Sequence, residues 1–362
     1  MSRRADIAIV GAGMAGASLA AEIGGRASVL LLEAEDQPGY HATGRSAAFW
    51  SESYGGRAVQ PLTTASGAFL REGGFLRSRG ALHIAGAEGK GALDWLAAEL
   101  GDMVELRPLP GEALAVRVPG LRPEWDRALF EPSCADIDVA ALHTFYLASA
   151  RRAGAELLTG AELLAAERRG ERWHLTTRAG EVEANLLVNA AGAWADPVAR
   201  LAGVRPLGIR PYRRTMVQLR IDPPAPVDLP LVIDALGRVY FKPEAGGRLW
   251  LSPHDETACE PGDCAPEEID VALAIARLEE ATNWRVVQVE RRWAGLRSFA
   301  PDRVPVYGFA PDASDFFWFA GQGGFGIQTA PAAARLGAAL LLGEMPSDGI
   351  EPAPYRPGRR MN

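Results

Sequence analysis

The sequence predicts an α/β fold with a second, discontinuous and sheet-rich (α+β) domain, and three observations predict it. An apolar run, a Gly-x-Gly-x-x-Gly turn and an apolar helix follow one another directly over residues 6–23. A strand, a glycine turn and a helix recur over residues 316–342. Between them the composition shifts to short apolar runs broken by proline. At 362 residues the chain exceeds the usual single-domain size, so two interwoven domains are expected.

The N-terminal unit comes first. Residues 7–10 are a short strand, Gly11-Ala12-Gly13-Met14-Ala15-Gly16 a turn, and residues 17–23 a helix. Gly11 permits the tight turn, Gly13 lets backbone approach a pyrophosphate, and Gly16 lets helix pack on strand. A second apolar run, residues 28–32, ends in Glu33, 22 residues after Gly11. That is close to the spacing of an acid that hydrogen-bonds a ribose hydroxyl. Together these features point to dinucleotide binding, with the pyrophosphate on the helix N-terminus. The plainer alternative is a glycine-rich turn in an ordinary βαβ unit.

Next, residues 39–48 are rich in small residues and hydroxyls: Thr43, Gly44, Arg45, Ser46 and Ala48 suit a loop that wraps the pyrophosphate, with Arg45 adding charge. Helices are expected at 65–70 and 92–100 and a strand at 81–85. Pro108, Pro110, Pro119 and Pro123 are expected to break the following stretch into short strands and loops. A helix over 139–153 carries Asp138 as its N-cap. The apolar run 186–190 ends in Ala191, Gly192 and Trp194, fitting backbone that passes close to a cofactor. Residues 216–221, 238–242 and 249–252 read as strands and 267–282 as a helix. They complete the sheet begun near residue 81. Strands at 304–307 and 316–320 lead into the glycine turn 321–328 and a helix at 329–342, with Pro331 in its first turn. That second helix N-terminus suits negative charge. Residues 352–360 read as a frayed tail.

Composition narrows the class. Hydrophobic content of 48% and charged content of 23% are ordinary for a globular protein. A net charge of −7 without a Lys/Arg block argues against a nucleic-acid partner. No signal segment or spanning run is read, so a cytoplasmic protein is expected. Cys134, Cys259 and Cys264 show no metal-ligand spacing, and no metal is expected. Cys259 and Cys264 can pair, although free thiols are the preferred reading.

The Gly39–Ala48 loop, following a glycine turn and ribose acid, resembles the FAD-dependent D-amino acid oxidase superfamily, and within it the D-arginine dehydrogenase type of D-amino acid dehydrogenase. The resemblance extends over nearly the whole chain, including residues 135–142, 186–207, 240–243, 293–299 and 316–329. It implies a Rossmann-like FAD-binding domain (1–80, 136–205 and 295–362) and a substrate domain (81–135 and 206–294). FAD would be held without a covalent bond, against Gly323, Gly324, Phe325, Gly326, Ile327, Gln328 and Thr329 as well as the N-terminal segments. The family's two carboxylate-binding arginines match Arg214 and Arg297. Tyr54 and Tyr240 match its substrate-site tyrosines, and Ser46, Gly324 and Gln328 match positions lining flavin and amine. The implied reaction is oxidation of a D-amino acid to an imino acid, then to a 2-oxo acid and ammonia. The electron acceptor is oxygen or a quinone-like carrier.

The bare residues agree on the arginines: a guanidinium grips a carboxylate through paired hydrogen bonds and fixes one face of the α-carbon. Arg213 and Arg214 are adjacent, so on a strand only one faces the site. Two departures shape the substrate expectation. Ala81 stands where arginine-preferring members carry a Glu, and Phe49 where they carry a His. Neutral or apolar D-amino acids are therefore expected over D-Arg or D-Lys. A sarcosine- or glycine-type amine oxidase, a tRNA-modifying flavoprotein and a non-catalytic FAD subunit remain open alternatives.

Overall fold

The computed structural model describes residues 3–347 and 349–361. In its first sheet, of eight strands, Val29–Leu32, Arg3–Val10, Gly180–Asn189 and Ala313–Ala320 lie side by side and parallel. Each ends in a buried run, apolar except for Asn189, the pattern of strands covered on both faces. Helices Met14–Ile23, Val139–Arg152 and Ala330–Leu342 belong to one face, where Ile9, Leu19, Phe317 and Leu336 share a core. Leu175, Val198 and Trp318 form the core of the other. Asp138 caps its helix, as expected, accepting a hydrogen bond from the Ala141 amide at 2.9 Å.

Because these strands are parallel neighbours, their C-terminal ends meet at one edge. Gly11, Glu33, Ala190 and Gly321 each follow directly on one of the four. Segments more than 300 residues apart in the chain are thereby brought to the place where such sheets bind ligands.

The second sheet has ten strands. Its central path runs Arg285–Phe299, Arg210–Asp222, Arg248–Ser252, Tyr240–Glu244, Leu231–Asp234, Ala81–Ala85 and Arg127–Glu131. Register divides its faces. Val217 opposes Leu251, which opposes Phe241, and these pack under helix Glu268–Ala281 through Val271, Ala274 and Leu278. One residue out of phase, Arg214 opposes Gly295 while Tyr212 opposes Arg297. Directly opposed residues and those two apart share a face, so Arg214, Met216 and Arg297 turn away from the helix. Arg213 goes the other way and pairs with Glu267 and Asp270.

Several expectations need correction. The proline-broken stretch contains a helix, Gly111–Arg117, because Pro110 sits just before its start and Val118 ends it. The expected frayed tail is docked: Tyr355 is buried and donates to Ala58 O at 2.8 Å, and Arg359 pairs with Asp302 at 2.7 Å. The antiparallel pair Leu163–Arg169 and Arg172–Thr177 was not expected at all. The expected domain boundaries at 135/136 and 294/295 fall inside the strands Ala135–Ile137 and Arg285–Phe299. Cys134, Cys259 and Cys264 are free thiols. Among the described residues no helix is long and apolar enough to cross a membrane, and no group of His, Cys, Asp and Glu is placed to hold a metal.

Candidate active site

A cavity of about 670 Å³ runs along the C-terminal edge of the first sheet and reaches the helix-free face of the second. Its first end is built on the glycine turn. Gly11 has φ +100°, and a Cβ there would stand 2.5 Å from Ala190 O. At Gly16 a Cβ would stand 1.9 Å from Gly11 O, so helix and strand touch only because glycine is present. Glu33 is buried yet lines the cavity; its two oxygens accept from the Ala12 amide at 3.0 Å and the Glu35 amide at 3.1 Å. Each oxygen keeps acceptor capacity for a ribose hydroxyl. Thr43 Oγ1 accepts from the Met14 amide at 3.0 Å, and His143 Nε2 binds Ala12 O at 2.9 Å from beneath. Burial lowers the His143 pKa, against the opposing effects of the Ala12 carbonyl and Glu33.

Gly13, Ser46, Ala191, Gly192 and Trp194 also line this end, together with Gly323, Gly324, Gly326 and Ile327 from the second glycine turn. Gly44 does not reach the cavity, but a Cβ there would lie 2.7 Å from Gly39 O, so it shapes the loop. Ala48 is likewise absent from the lining; its carbonyl accepts from the Ile137 amide at 3.2 Å. Arg45 has partners within the protein. It lines the cavity, but its guanidinium pairs with Asp263 at 2.5 Å and donates to Cys264 O and Ala294 O at 3.3 Å. His41, pairing with Glu35 at 2.8 Å, packs its ring on Trp194.

The second end holds the arginines. Arg214 is 4% exposed, donates from Nε to Asp255 O at 2.8 Å and from Nη2 to Glu256 at 3.2 Å, and has no partner at Nη1. Arg297 donates from Nη1 to the Tyr54 hydroxyl at 2.8 Å. Burial and the neighbouring Arg297 hold the Arg214 guanidinium below its ordinary range. Burial acts against Arg297 too but is outweighed by Tyr54, Tyr240, Glu256 and Asp255, so its pKa is raised. Glu256 also takes both its oxygens to Arg303 at 2.9 Å, so the pair's positive charge is incompletely balanced. An unpartnered buried N–H of a cation on a cavity wall calls for an anion. Gly324 passes so close that a Cβ would lie 2.3 Å from the Tyr54 hydroxyl and 3.1 Å from Arg297 Cζ.

Tyr240 presents its ring to the cavity and donates its hydroxyl to Met216 Sδ at 3.1 Å. Phe49, Trp250, Trp293, Ile233 and the buried Ala81 pack in one apolar cluster with Tyr240 and Met216, and of these seven only Tyr240 and Met216 line the cavity. His254, behind Tyr240, is driven to about 3 by burial and by Arg214 and Arg297.

Some expected site residues stand back from the cavity. Gln328 Oε1 accepts from the Ser51 amide at 3.2 Å, and its Nε2 donates to Tyr54 O at 3.1 Å and Thr63 Oγ1 at 2.9 Å. Phe325 packs with Val59 and Phe299, and Thr329 donates to Phe325 O at 2.8 Å. The chain turns toward the helix Ala330–Leu342 at this point, so these side chains face the interior. Tyr54 does not line the cavity; its hydroxyl meets the site at Arg297 and beside Gly324. Sequence reasoning missed His143, Met216, Glu256 and Asp263, whose contacts all lie far away in the chain.

The glycine cradle, the half-satisfied Glu33 and the length of the cavity fit a dinucleotide with a further ring system reaching toward the arginines. A model of the family described as FAD dependent oxidoreductase matches residues 6–340. A glycine oxidase of Pseudomonas aeruginosa is 30% identical over 261 residues, 71% of this chain and 69% of that protein. FAD-dependent oxidoreductase domain-containing protein 1 of Xenopus laevis is 29% identical over 177 residues, 44% of this chain but only 35% of that protein. Among solved structures, glycine oxidase from Geobacillus kaustophilus superposes with a TM-score of 0.86 at 23% identity, covering 100% of both chains. At the finer level these point to glycine oxidases rather than to the D-arginine dehydrogenase type.

Proposed function

Since this chain belongs to the FAD-dependent oxidoreductase family and takes FAD as its cofactor, we propose that it oxidises the carbon–nitrogen bond of a small amino acid, with glycine or an N-alkyl glycine such as sarcosine as substrate class. The observation that carries this reading is the guanidinium pair: Arg214, whose buried Nη1 has no partner, and Arg297 both line the cavity. A carboxylate held between them is fixed in orientation, which presents the α-carbon at one distance and one face. FAD, when bound, supplies the acceptor for the hydride that leaves that carbon. Tyr240 and Met216 close one side of the site, and the Arg297–Tyr54 bond sets the plane of the second guanidinium. The amine loses its proton to water or to a neutral group before the hydride leaves, and the imine product hydrolyses.

A second reading, neutral D-amino acids, is favoured by the apolar surroundings of Tyr240 and Met216, the two cavity residues against which Phe49, Trp250 and Trp293 pack. The test is anaerobic mixing of the FAD-loaded protein with glycine, sarcosine, neutral D-amino acids, D-Arg and L-amino acids, followed by air. Bleaching by glycine or sarcosine is expected; bleaching by neutral D-amino acids alone selects the second reading. No bleaching by any carboxylate-bearing amine overturns both. The rate of colour return in air separates oxygen from a quinone-like carrier as acceptor.

A further inference from the structure

Outside the cavity, behind Tyr54, lies a carboxylate with no solvent contact. Glu131 is 0% exposed, at the end of strand Arg127–Glu131 and opposite Ala81. Among the described residues its ion-pair neighbour is His83, at 3.7 Å. A buried carboxylate persists only where hydrogen bonds replace its water. Ser51 Oγ and Ser53 Oγ donate to its Oε2 at 2.8 and 2.5 Å, and the Glu52 amide donates to Oε1 at 2.7 Å. His83 Nε2 lies 3.1 Å from Ser53 Oγ. These contacts hold the carboxyl below the usual range even though burial pushes it up.

All three donors belong to one short segment, residues 51–53, directly before Tyr54. Gln328 holds the same segment from its other side, through the Ser51 amide and Tyr54 O. On the far side of Tyr54 the chain turns through Gly55 and Gly56, with φ of +107° and +74°, into the helix Gln60–Glu72. The hydroxyl of Tyr54 accepts from Arg297 at 2.8 Å. Two links therefore join a residue of the second sheet to the guanidinium that faces the cavity.

We propose that Glu131 is a positioning residue for the substrate carboxylate: by pinning residues 51–53 it places Tyr54, and through Tyr54 it aims Arg297. This rests on the reading that Arg297 binds that carboxylate. A merely structural Glu131 would lower thermal stability without acting through Tyr54.

The experiment titrates acetate, a non-reactive carboxylate, into the FAD-loaded protein and reads the flavin absorbance for wild type, Glu131→Gln, Tyr54→Phe, the double variant and Arg297→Met. Glu131→Gln and Tyr54→Phe are each expected to raise the acetate Kd about tenfold, and the double variant no more than Tyr54→Phe alone. With substrate, KM rises by a similar factor while kcat stays within about twofold. An unchanged Kd in Glu131→Gln, or multiplying effects in the double variant, overturns the proposal. Arg297→Met is the reference: if it too leaves Kd unchanged, the carboxylate reading fails and this proposal with it. If Arg297→Met weakens acetate and Glu131→Gln does not, only the positioning role falls. Should Glu131→Gln fail to retain FAD, Ser53→Ala, which removes a single donor, carries the test. It is expected to raise the acetate Kd about threefold, and no change overturns the proposal.

Discussion

His254 shows how far a single residue's chemistry is set by neighbours that the sequence does not reveal. It is a non-glycine residue at φ +57°, with its ring edge against Tyr240 and its Nδ1 without a partner. Burial, then Arg214, Arg297 and Arg277, press its pKa to about 3, while a contact with the Gly237 backbone opposes them. The folded value lies below the unfolded one, so this contribution to stability is fully present above about pH 6.5 and is lost as pH falls toward 3. The loss is on the order of 3 kcal/mol, after discounting for the ring's partial exposure. His254→Asn, whose side chain tolerates positive φ, is expected to flatten the fall of Tm between about pH 6.5 and 4 relative to wild type. Parallel curves would assign the acid limb to other groups. The arginines of the site were legible where His254 was not. Arg214 and Arg297 were named from a family resemblance, and the strand register separates Arg214 from Arg213 by an alternation the sequence already contains. Gln328 and Thr329 look alike in sequence to their cavity-lining neighbours, and only the onset of the helix turns them inward.

Among the elements, the N-terminal strand, turn and helix were readable because glycines at fixed spacing mark the turn, although the backbone that crowds Gly11 is that of Ala190. The demand at Gly16 is the sharpest, since a methyl group there meets Gly11 O at 1.9 Å. Gly16→Ala is expected to push Met14–Ile23 off the sheet and open the turn, giving protein that purifies without FAD and melts lower by a few degrees, a cost of about 1–3 kcal/mol. Gly91→Ala is the control. It lies within the helix Lys90–Leu100 with nothing within 4 Å of the added Cβ, and is expected to retain FAD and gain up to about 1 kcal/mol. Equal FAD content in the two variants would show that close helix–strand packing is not what forms the cradle. Elsewhere local signals misled. Gly111–Arg117 is framed by prolines that read as breakers, yet proline before a first turn removes no helical hydrogen bond. Arg285–Phe299 carries so many charges that its strand period is hidden; Arg291 and Arg292 are exposed, and Glu290 is held by Arg220 and Arg248. What fixes it is thirteen-residue pairing with Arg210–Asp222, a non-local fact.

Taken whole, the molecule encloses its cofactor cavity by laying the second sheet over the loop of the first half. Trp293 Nε1 donates to Arg45 O at 2.9 Å, and a Cβ on Gly295 would lie 3.3 Å from Arg45 Cβ. From the segment that follows strand Thr257–Ala258, Asp263 reaches across to pair with Arg45 and to accept from the Tyr40 hydroxyl at 3.1 Å. The sequence announced two interwoven halves but not this clasp, because an acid in a polar loop carries no sign of its partner more than 200 residues away. Arg45 and Tyr40 both line the cavity, so the clasp holds part of its wall. Asp263 is about 60% exposed, and an exposed pair contributes little to global stability. Its effect belongs in the rate at which the loop opens. Asp263→Ala is expected to leave Tm within about a degree while raising the FAD dissociation rate roughly two- to fivefold. Raising ionic strength should speed dissociation from wild type and leave the variant nearly unchanged, since screening acts only on the pair that is still present. If salt accelerates FAD loss from both proteins equally, the Arg45–Asp263 contact does not govern release, and the apolar overlap at Trp293 and Gly295 is what keeps the halves closed.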